Sequence, residues 1–571
     1  MLVHICAALV THFWFRNREP SNWIGVTSLL ALPPLVTLVH PGSWSFPPPA
    51  LIVHGYIVFW LTLVLSIISY RVSPFHPLAK HRGPLLCKVS KLYGTYFAIK
   101  GTYHQCVKEL HEQYGPVVRV GPNELSIIEK NAIPHVLGVN GMPRGPLWDG
   151  RRFHQGGTQK GYDSIIDVRD AKVHHDLRKD WNNAFSASAV RDYQDPLEAR
   201  VKQLRGHLQS VAGTREKVSL STWFSHFAFD VVGDLAFGGC FELMREGDTN
   251  GFRRSMDEGM QLPAIMQHIP WINPLITSIP FISSKMRAFS DFGVDQGKKR
   301  IALDATRKDL FYYLYEIPGE KNDRTLEEQL DRVVSNCLLT IVAGSDTTAT
   351  TLTAIFCFLL SERRVYNALK VELDEAFPNY NVVDGWPEIE INSLGQLPYL
   401  NAVIDEGLRL VPAVPTQLQR APEPGSGGKM LGDTQIFIPE GVAVNIPPFA
   451  LHRDPRYFSP HPDSFIPERW LPIEAKGSAQ QYTTDKEAFI PFSYGPANCA
   501  GKTLARIEMR YVLATLVRCF DFYHFRCEGA HLDVLKAKVK EWTDGLRDKF
   551  VFDKPGLDVE IISRRQSQGS N

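Results

Sequence analysis

The sequence predicts a mainly α-helical fold with small β-sheets, organised as one large domain behind an N-terminal membrane anchor. A charge-free N-terminal stretch predicts the anchor, while long helical patterns with only short strand-like pieces between them predict the domain. Of the 571 residues, 44% are apolar and 22% are charged, a balance that supplies a large globular core.

The anchor pattern lies at the N-terminus. Residues 20–70 contain no Asp, Glu, Lys or Arg, and the segment 51–70 is long enough to cross a hydrocarbon core of roughly 30 Å as a helix. Segments 23–40 and 1–15 are further candidates, so we expect one to three transmembrane helices within residues 1–72. A cleaved signal peptide is the alternative, but a charge-free stretch of this length disfavours it.

The residues after the last candidate span indicate its orientation. Basic residues follow it, which predicts that the large domain faces the cytosol; they are Arg71, Lys80, Arg82, Lys88 and Lys91. Residues 73–84 contain three prolines and predict a stiff hinge, since proline cannot continue a helix. The large domain then covers residues 85–571.

Within this domain the patterns predict long helices and few strands. A strand pair is expected in residues 115–128, and further strand pieces are expected near 435–439 and 550–562. The longest helical pattern covers residues 326–360 and is apolar nearly all round, which predicts a helix running through the core.

Charge and cysteine usage exclude two classes of protein. The formal net charge of +1 offers no electrostatic footprint for nucleic acid. The nine cysteines are odd in number and form no C-x-x-C pair, which argues against a disulfide framework and suits a reducing compartment.

One cysteine stands in an unusual context, the stretch FSYGPANCAGKTLAR at residues 492–506. Gly495 and Gly501 allow a tight turn around Cys499, and Phe492 supplies an aromatic wall. A helical pattern follows directly, so we expect backbone N–H groups to stabilise a Cys499 thiolate. With no catalytic base nearby in the sequence, such a thiolate suits iron binding better than nucleophilic attack.

A second polar motif, AGSDTT at residues 343–348, lies inside the apolar pattern of the longest helix. Unpaired polar groups are costly in a core, so Asp346 and Thr347 call for a reason. An acid beside an alcohol in a buried helix can relay protons. Ala343 and Gly344 are expected to loosen the helix and leave room for a small ligand such as dioxygen.

These residues resemble a known family. Phe492, Gly495, Cys499 and Gly501 match the F-x-x-G-x-x-x-C-x-G haem-binding loop of cytochrome P-450 monooxygenases, and the chain resembles fungal, basidiomycete-type membrane-bound members over about residues 75–565. The resemblance implies the cytochrome P-450 fold and a haem b whose iron takes its axial thiolate from Cys499. It also implies that Asp346 and Thr347 guide protons during oxygen activation.

The resemblance assigns two further groups of residues. Glu406 and Arg409 match the family's E-x-x-R, and FIPERW at residues 465–470 offers Arg469 as their partner; the three are expected to brace the cysteine loop. The expected contacts of the haem propionates are His174, Arg178 and Arg420. The chain departs from the family at Ala497, where Arg or His is usual, so one propionate contact is missing or comes from elsewhere.

The implied reaction is insertion of one oxygen atom of O2 into a lipophilic small molecule, by hydroxylation or epoxidation, in secondary metabolism such as terpenoid biosynthesis. Electrons would come from an NADPH–cytochrome P-450 reductase, with cytochrome b5 as a second candidate partner. The basic residues Lys172, Arg178 and Lys179 offer a face for an acidic partner. The implied location is the endoplasmic reticulum membrane, with the large domain facing the cytosol.

The expected pocket walls are residues 141–157, 411–418, the region before AGSDTT and a turn near Phe550, and the apolar segment 262–282 either lies on the membrane or is a buried loop. Two alternatives keep the haem: an O2-independent isomerase or dehydratase, and a membrane-anchored haem-binding protein without turnover. A hydrolase is disfavoured because neither G-x-S-x-G nor H-E-x-x-H occurs.

Overall fold

The structure is a computed structural model of the chain. The residues that it describes are 1–17, 23–36, 48–151, 164–166, 168–214, 216–239, 241–270, 279–302, 308–315, 326–378, 382–383, 386–416, 418–472, 482–523 and 532–564.

Helices dominate the described part of the chain, as the sequence predicts. In chain order they are α1 Leu2–Asn17, α2 Trp23–Val36, α3 Pro49–Val72, α4 Leu85–Val89, α5 Leu92–Ile99, α6 Tyr103–Tyr114, α7 Ile133–Leu137, α8 Ala171–Ala184, α9 Ala187–Asp192, α10 Gln194–Val211, α11 Leu220–Phe237, α12 Leu243–Glu246, α13 Phe252–Met266, α14 Pro280–Ala302, α15 Leu310–Tyr315, α16 Leu326–Ser361, α17 Arg363–Ala376, α18 Pro398–Leu410, α19 Pro448–Leu451, α20 Lys502–Cys519 and α21 Leu532–Asp544.

The strands are short and form small peripheral sheets. They are β1 Val117–Gly121, β2 Glu124–Ile127, β3 Val218–Ser219, β4 Val382–Val383, β5 Trp386–Pro387, β6 Gly428–Met430, β7 Phe437–Pro439, β8 Ala443–Asn445, β9 Phe458–Ser459, β10 Thr483–Thr484, β11 Phe520–Tyr523, β12 Arg547–Lys549, β13 Val551–Asp553 and β14 Asp558–Ser563.

Two of the sheets have three strands. In one, β2 pairs antiparallel with β1 and parallel with β8, and in the other β14 lies between β11 and β3. The pairs β12–β13 and β6–β7 are antiparallel hairpins. The predicted strand pair in residues 115–128 is therefore β1 and β2, and the later strand pieces correspond to β7, β13 and β14.

The core is built around α16, which is the helix predicted at residues 326–360. Its second half is buried from Ala349 to Leu360, and the helix packs against α11, α18 and α20. Removing these apolar side chains from water is the main favourable contribution to folding here. Because α16 is packed into the core along this length, the polar residues of its AGSDTT segment have a fixed position in the domain.

Helix α3 differs from α16 although both are long and apolar enough to cross a membrane. In Pro49–Val72 only 17% of the most apolar window is buried, whereas 78% is buried in Val333–Ser361. The second is therefore a core helix of the domain. The shorter apolar helices α1 and α2 pack against α3, and the Arg16 guanidinium lies 4.1 Å from the centre of the Tyr70 ring.

The proline-rich segment after α3 packs against the domain. Leu78 is fully buried, and the Arg119 N–H of β1 donates to the carbonyl of Arg82 at 2.8 Å. A side chain at Gly83 would lie 2.3 Å from the Arg119 carbonyl, so this position requires glycine. The segment thus connects α3 to β1 through close backbone contact.

Candidate active site

The cysteine loop is a tight turn that leads directly into α20. The Cys499 N–H donates to the Phe492 carbonyl at 2.9 Å, and the Asn498 N–H donates to the Gly495 carbonyl at 3.1 Å. Gly495 has φ +70°, and a Cβ there would lie 2.2 Å from the Leu137 carbonyl oxygen. Only glycine fits that position, because it needs both the left-handed conformation and the close contact.

The Cys499 thiol is reachable by solvent although protein surrounds it closely, so it faces a crevice. Burial raises the pKa of Cys499, while the Gly501 N–H and the charges of Arg178 and Lys502 act in the opposite direction. The expectation that the helix start alone would favour the thiolate is therefore corrected: desolvation outweighs it. A cation bound at the sulfur would favour the thiolate.

Behind the loop, Glu406 of α18 lies in a fully buried ion network with Arg409 and Arg469. Its two carboxylate oxygens accept from Arg409 at 2.8 Å each, from Arg469 Nε at 3.0 Å and from the Trp470 indole at 2.9 Å. Although burial opposes its charge, the two guanidinium groups hold the pKa of Glu406 below its usual range. The structure thus brings together the three residues that the sequence singled out.

A histidine that the sequence analysis did not single out connects this network to the cysteine loop. The His452 carbonyl accepts from Arg409 Nη1 at 2.8 Å, and the His452 ring Nε2 accepts from the Ile490 N–H at 2.9 Å. Complete burial lowers the pKa of His452 to about 3, so its ring is neutral and can accept that hydrogen bond. No motif marks this residue, because its partner is a backbone group.

The three expected propionate contacts, His174, Arg178 and Arg420, lie together with a further arginine, Arg144. Burial and the nearby charges of Arg144, Arg178 and Arg420 lower the pKa of His174 to about 4. Arg420 is 5% exposed, and no described carboxylate lies within ion-pair distance of it. Arg144, which the sequence analysis missed, pairs with the Arg420 backbone in a β-bridge and donates to the carbonyls of Ile165 and Val168.

Arg178 is held by the cysteine loop. Its Nη1 and Nη2 donate to the backbone and side-chain oxygens of Asn498 at 2.6 and 2.7 Å, which fixes α8 against the residue before Cys499. Ala497, where a basic residue was expected, adds no charge here. The additional cation Arg144 lies in the same cluster, so positive charge comes from another segment.

The helix that carries AGSDTT, α16, is buried except for one exposed stripe. Ala343 is exposed, and Leu339 and Thr347, one turn away on either side, are half-buried. The Thr347 hydroxyl donates to the Ala343 carbonyl at 2.7 Å. The helix is continuous here, and a Cβ on Gly344 would lie 2.8 Å from Val232 of α11. The expected loosening is therefore corrected: Gly344 permits close helix packing, and only Ala343 leaves room.

The expected pocket walls lie partly within the described residues. Residues 152–157, 271–278 and 417 are outside them. In the described part, the Phe552 N–H donates to the Ala413 carbonyl at 3.0 Å, which joins the 411–416 segment to the hairpin that contains Phe550. Gly150 lies so close to Met266 that a Cβ would be 2.5 Å from its carbonyl. These contacts join the walls in two pairs, 411–416 with the Phe550 hairpin and 141–151 with 262–270.

The comparison with known families decides what this arrangement is. The model of the family described as Cytochrome P450 matches residues 84–529, well over half of the chain. The chain belongs to the cytochrome P450 family.

Curated relatives of this cytochrome P450 include several fungal proteins. It is 32% identical over 505 residues to the cytochrome P450 monooxygenase FCK2 of Fusarium pseudograminearum, covering 88% of this chain and 85% of the relative. It is 32% identical to the monooxygenase prhB of Penicillium brasilianum over 89% of this chain and 97% of the relative. It is 31% identical to the tryprostatin B 6-hydroxylase of Aspergillus fumigatus, over 91% of this chain and 89% of the relative.

The family uses haem with a cysteine thiolate as axial ligand, and the residues present fit that group. Among the described residues, no group of three or more His, Cys, Asp or Glu could hold a metal ion. A single thiol therefore fits a metal that takes its other ligands from a macrocycle. The accessible Cys499 thiol can bind the haem iron. The exposed stripe of α16 can lie against the face of the haem, and the buried cation Arg420 suits the haem carboxylates.

Proposed function

We propose that this cytochrome P450 monooxygenase is a haem-thiolate enzyme with Cys499 as its iron ligand, and that it hydroxylates or epoxidises a lipophilic small molecule. The observation that carries the proposal is the accessible thiol in a loop braced from behind by a buried ion network. When bound, thiolate-ligated haem activates dioxygen for insertion into a C–H or C=C bond. The protein holds the thiolate, binds the substrate and delivers protons.

For the protons we propose Asp346 and Thr347. They lie on α16, and the Thr347 hydroxyl is on the exposed stripe beside Ala343. Because its hydrogen bond goes to a carbonyl one turn back, the hydroxyl can rotate and donate toward the crevice instead. Asp346 is 21% exposed and can exchange protons with water that reaches the site.

The substrate class that we propose is an apolar fungal secondary metabolite, such as a terpenoid. The support is the fungal origin of the relatives and the name of one of them, a tryprostatin B 6-hydroxylase. That name describes hydroxylation, which favours hydroxylation over epoxidation for this chain. Screening terpenoids against prenylated indole compounds by substrate-induced shifts of the haem spectrum tests the choice.

The anchor is proposed to be α3, with α1 and α2 beside it, in the endoplasmic reticulum membrane. Most of the apolar surface of α3 is exposed, which suits lipid contact. Arg16 and Arg71 lie at the same end of the helices, next to Tyr70, which supports the proposal that this end faces the cytosol. A glycosylation acceptor placed before α1 and, separately, after residue 564 measures the orientation.

Electrons are proposed to come from an NADPH–cytochrome P450 reductase, with cytochrome b5 as a second donor. Lys172 and Lys179, seven residues apart on one face of α8, are both exposed, and Arg178 of the same helix contacts Asn498 beside Cys499. An acidic partner can therefore dock close to the thiolate. The double charge reversal Lys172→Glu/Lys179→Glu should slow reduction and weaken its dependence on salt.

The first test is the difference spectrum of the reduced protein with carbon monoxide. We expect the strongly red-shifted Soret band of thiolate-ligated haem in the natural protein and its loss in Cys499→Ser. Cys357→Ala is the matched control, because Cys357 is a buried core cysteine on α16 and should leave the band in place. A red-shifted band that persists in Cys499→Ser contradicts the assignment. A requirement for NADPH then separates a monooxygenase from an O2-independent isomerase.

A further inference from the structure

A buried carboxylate that belongs to none of the sequence motifs lies on β2. The Oε1 atom of Glu124 accepts from Gln419 Nε2 at 2.5 Å and from Asn445 Nδ2 at 2.6 Å. Its Oε2 accepts from the Lys91 ammonium, which balances the charge of the carboxylate. All three of Glu124, Gln419 and Asn445 are buried. One carboxylate therefore holds two buried amide groups, through charge-assisted hydrogen bonds that are stronger than bonds between neutral groups.

The first sheet explains why these side chains meet. On one side β8 pairs with β2, and on the other Val444 of β8 forms a β-bridge with Arg420, through hydrogen bonds of 2.8 and 2.7 Å. Successive side chains of an extended chain point to opposite faces. Gln419 therefore shares a face of the sheet with Glu124 and Asn445. Arg420 points to the opposite face, where the other expected propionate contacts lie.

The Gln419 amide has one orientation that satisfies both of its neighbours. Its NH2 group donates to Glu124, and its Oε1 accepts from the Leu147 N–H at 2.8 Å. An ionised carboxylate only accepts and a backbone N–H only donates, so the amide cannot be turned over. Gly145 approaches so closely that a Cβ there would lie 2.5 Å from Gln419 Oε1. The Gln419 side chain thus fixes the main chain of residues 145–147, in an expected wall of the pocket.

The main-chain carbonyl of Gln419 holds two further groups. It accepts from the Trp148 indole N–H at 3.1 Å and from Arg420 Nη1 at 2.9 Å. Trp148 belongs to the same wall, and the Arg144 guanidinium lies 5.0 Å from the centre of its ring. One oxygen atom therefore contacts both the wall and a cation that is expected to bind a haem propionate.

We propose that Glu124 and Gln419 are positioning residues that fix the pocket wall at residues 144–148 relative to Arg420, and that they thereby determine the size of ligand that fits the site. Gln419 acts through Leu147 and Trp148, and Glu124 acts through Gln419. A site discriminates between ligands only when its walls are held by supporting hydrogen bonds. The inference rests on the proposed function, because the wall and Arg420 belong to that haem site, and it adds determinants of substrate size.

The first experiment uses imidazole and 4-phenylimidazole as probes of the full-length haem protein. Both bind haem iron through a nitrogen atom and shift the Soret band, but the larger probe also needs room beside the iron. We expect Gln419→Met to change the ratio of the two dissociation constants several-fold, because the wall loses its support. The dissociation constant of imidazole itself should change little. An unchanged ratio contradicts the proposal.

Glu124→Gln is the second variant, and it keeps the test decisive should Gln419→Met not fold. It keeps the shape of the side chain but removes the charge, so the ratio should change in the same direction by a smaller factor. Asp230→Asn is the matched control, since Asp230 is also a buried acid but accepts from the N–H groups of Leu243 and Met244, at 2.7 and 2.9 Å. An equal change of the ratio in this control would assign the effect to lost stability and overturn the proposal.

A double variant tests the order in which the two residues act. Because Glu124 acts through Gln419, the ratio in Glu124→Gln/Gln419→Met should equal the ratio in Gln419→Met alone. A further change in the double variant contradicts this order.

Amide hydrogen exchange, read at single residues by mass spectrometry, measures the support of the wall directly. The Leu147 N–H has the Gln419 side chain as its acceptor, so its exchange should become faster in Gln419→Met. The Met142 N–H donates to the Val136 carbonyl at 3.1 Å and is the internal reference, whose exchange should stay the same. Equal exchange of Leu147 in the natural protein and the variant would show that the side chain does not hold the wall.

The outcomes also separate this inference from the proposed function. A natural protein with neither the carbon monoxide band nor an imidazole shift overturns the proposed haem site and the inference together. A natural protein with both signals, whose ratio and Leu147 exchange are unchanged in Gln419→Met, overturns the positioning role and keeps the haem site.

Discussion

The ion network behind the cysteine loop and the charged groups around Asp346 differ in burial and in the length of their contacts. Behind the cysteine loop, Glu406, Arg409 and Arg469 are fully buried, and the Glu406 contacts are 2.8–3.0 Å long. Around Asp346, the acids Asp346 and Asp257 are partly exposed whereas Lys554 is buried, and the ion pairs of Lys554 and Arg253 are 3.9 and 3.7 Å long.

This difference matches what each side has to do. A metal ligand must stay at one position, and a network whose every oxygen is satisfied has only one arrangement of low energy. A proton path must let groups gain and lose protons, and short, fully satisfied contacts would prevent that. The cysteine side is therefore built for rigidity and the Asp346 side for exchange, and the following changes test that contrast.

The largest effect is expected from Glu406→Gln. Two buried guanidinium groups would lose the charge of the carboxylate that they share, which costs about 3–5 kcal/mol of the free energy of unfolding. We expect little folded, haem-containing protein, measured by the carbon monoxide spectrum and by urea unfolding. The control Arg364→Gln breaks an ion pair in which Arg364 is 65% exposed, and should cost less than about 1 kcal/mol. Equal losses would show that burial does not distinguish the two pairs.

The next effect is expected from Gly495→Ala in the cysteine loop. The added Cβ meets the Leu137 carbonyl at 2.2 Å, so the loop must move and haem retention should fall. Gly441→Ala is a close control, because Gly441 also has a left-handed backbone, with φ +79°, but nothing within 4 Å of a Cβ. It should cost only the conformational term of about 1 kcal/mol. Haem content after purification is the measurement. Equal haem loss in both variants would mean that the left-handed backbone conformation, and not the contact with Leu137, causes the loss.

The sequence predicted the parts of the molecule that depend on local pattern. The long apolar helix, the strand pair and the turn at Gly495 follow from periodicity and turn chemistry, and the structure has them at the expected positions. The joining of Glu406 and Arg409 with Arg469, which lie 60 or more residues apart, came instead from the family resemblance.

The residues that the sequence analysis missed are long-range partners without a motif. His452 acts through a backbone carbonyl and a ring nitrogen, Arg144 through a β-bridge, and Lys554 approaches α16 from the C-terminal hairpin. The pKa of Cys499 was also misjudged, because a helix start is visible in a sequence whereas the burial that opposes it is not.

A smaller effect on stability is expected from Thr347→Ala. The change removes one hydroxyl-to-carbonyl hydrogen bond, worth about 1 kcal/mol, and should leave the carbon monoxide spectrum unchanged. The share of NADPH electrons recovered as hydrogen peroxide (the peroxide share) should rise, because the exposed stripe loses its hydroxyl. Thr353→Ala removes the same kind of bond, at 2.7 Å to Ala349, from a fully buried position. If Thr353→Ala also raises the peroxide share, the effect comes from the helix and the relay is contradicted.

The smallest effect on stability is expected from Asp257→Asn, and its sign depends on pH. The pKa of Asp257 is about 6 in the folded protein and 3.8 ordinarily, so the folded state binds this proton more tightly than the unfolded state. The natural protein therefore loses stability as pH rises between these two values, and the variant does not. Because the side chain is 42% exposed, solvent screening reduces the gain in the variant to about 1 kcal/mol above pH 6, and the gain disappears toward pH 4. Urea unfolding at pH 5, 6, 7 and 8 measures it, with the exposed-pair variant Asp544→Asn as control. A gain that stays constant with pH would mean that Asp257 is an ordinary surface acid, and the contrast between the two sides of the site would lose its titrating member.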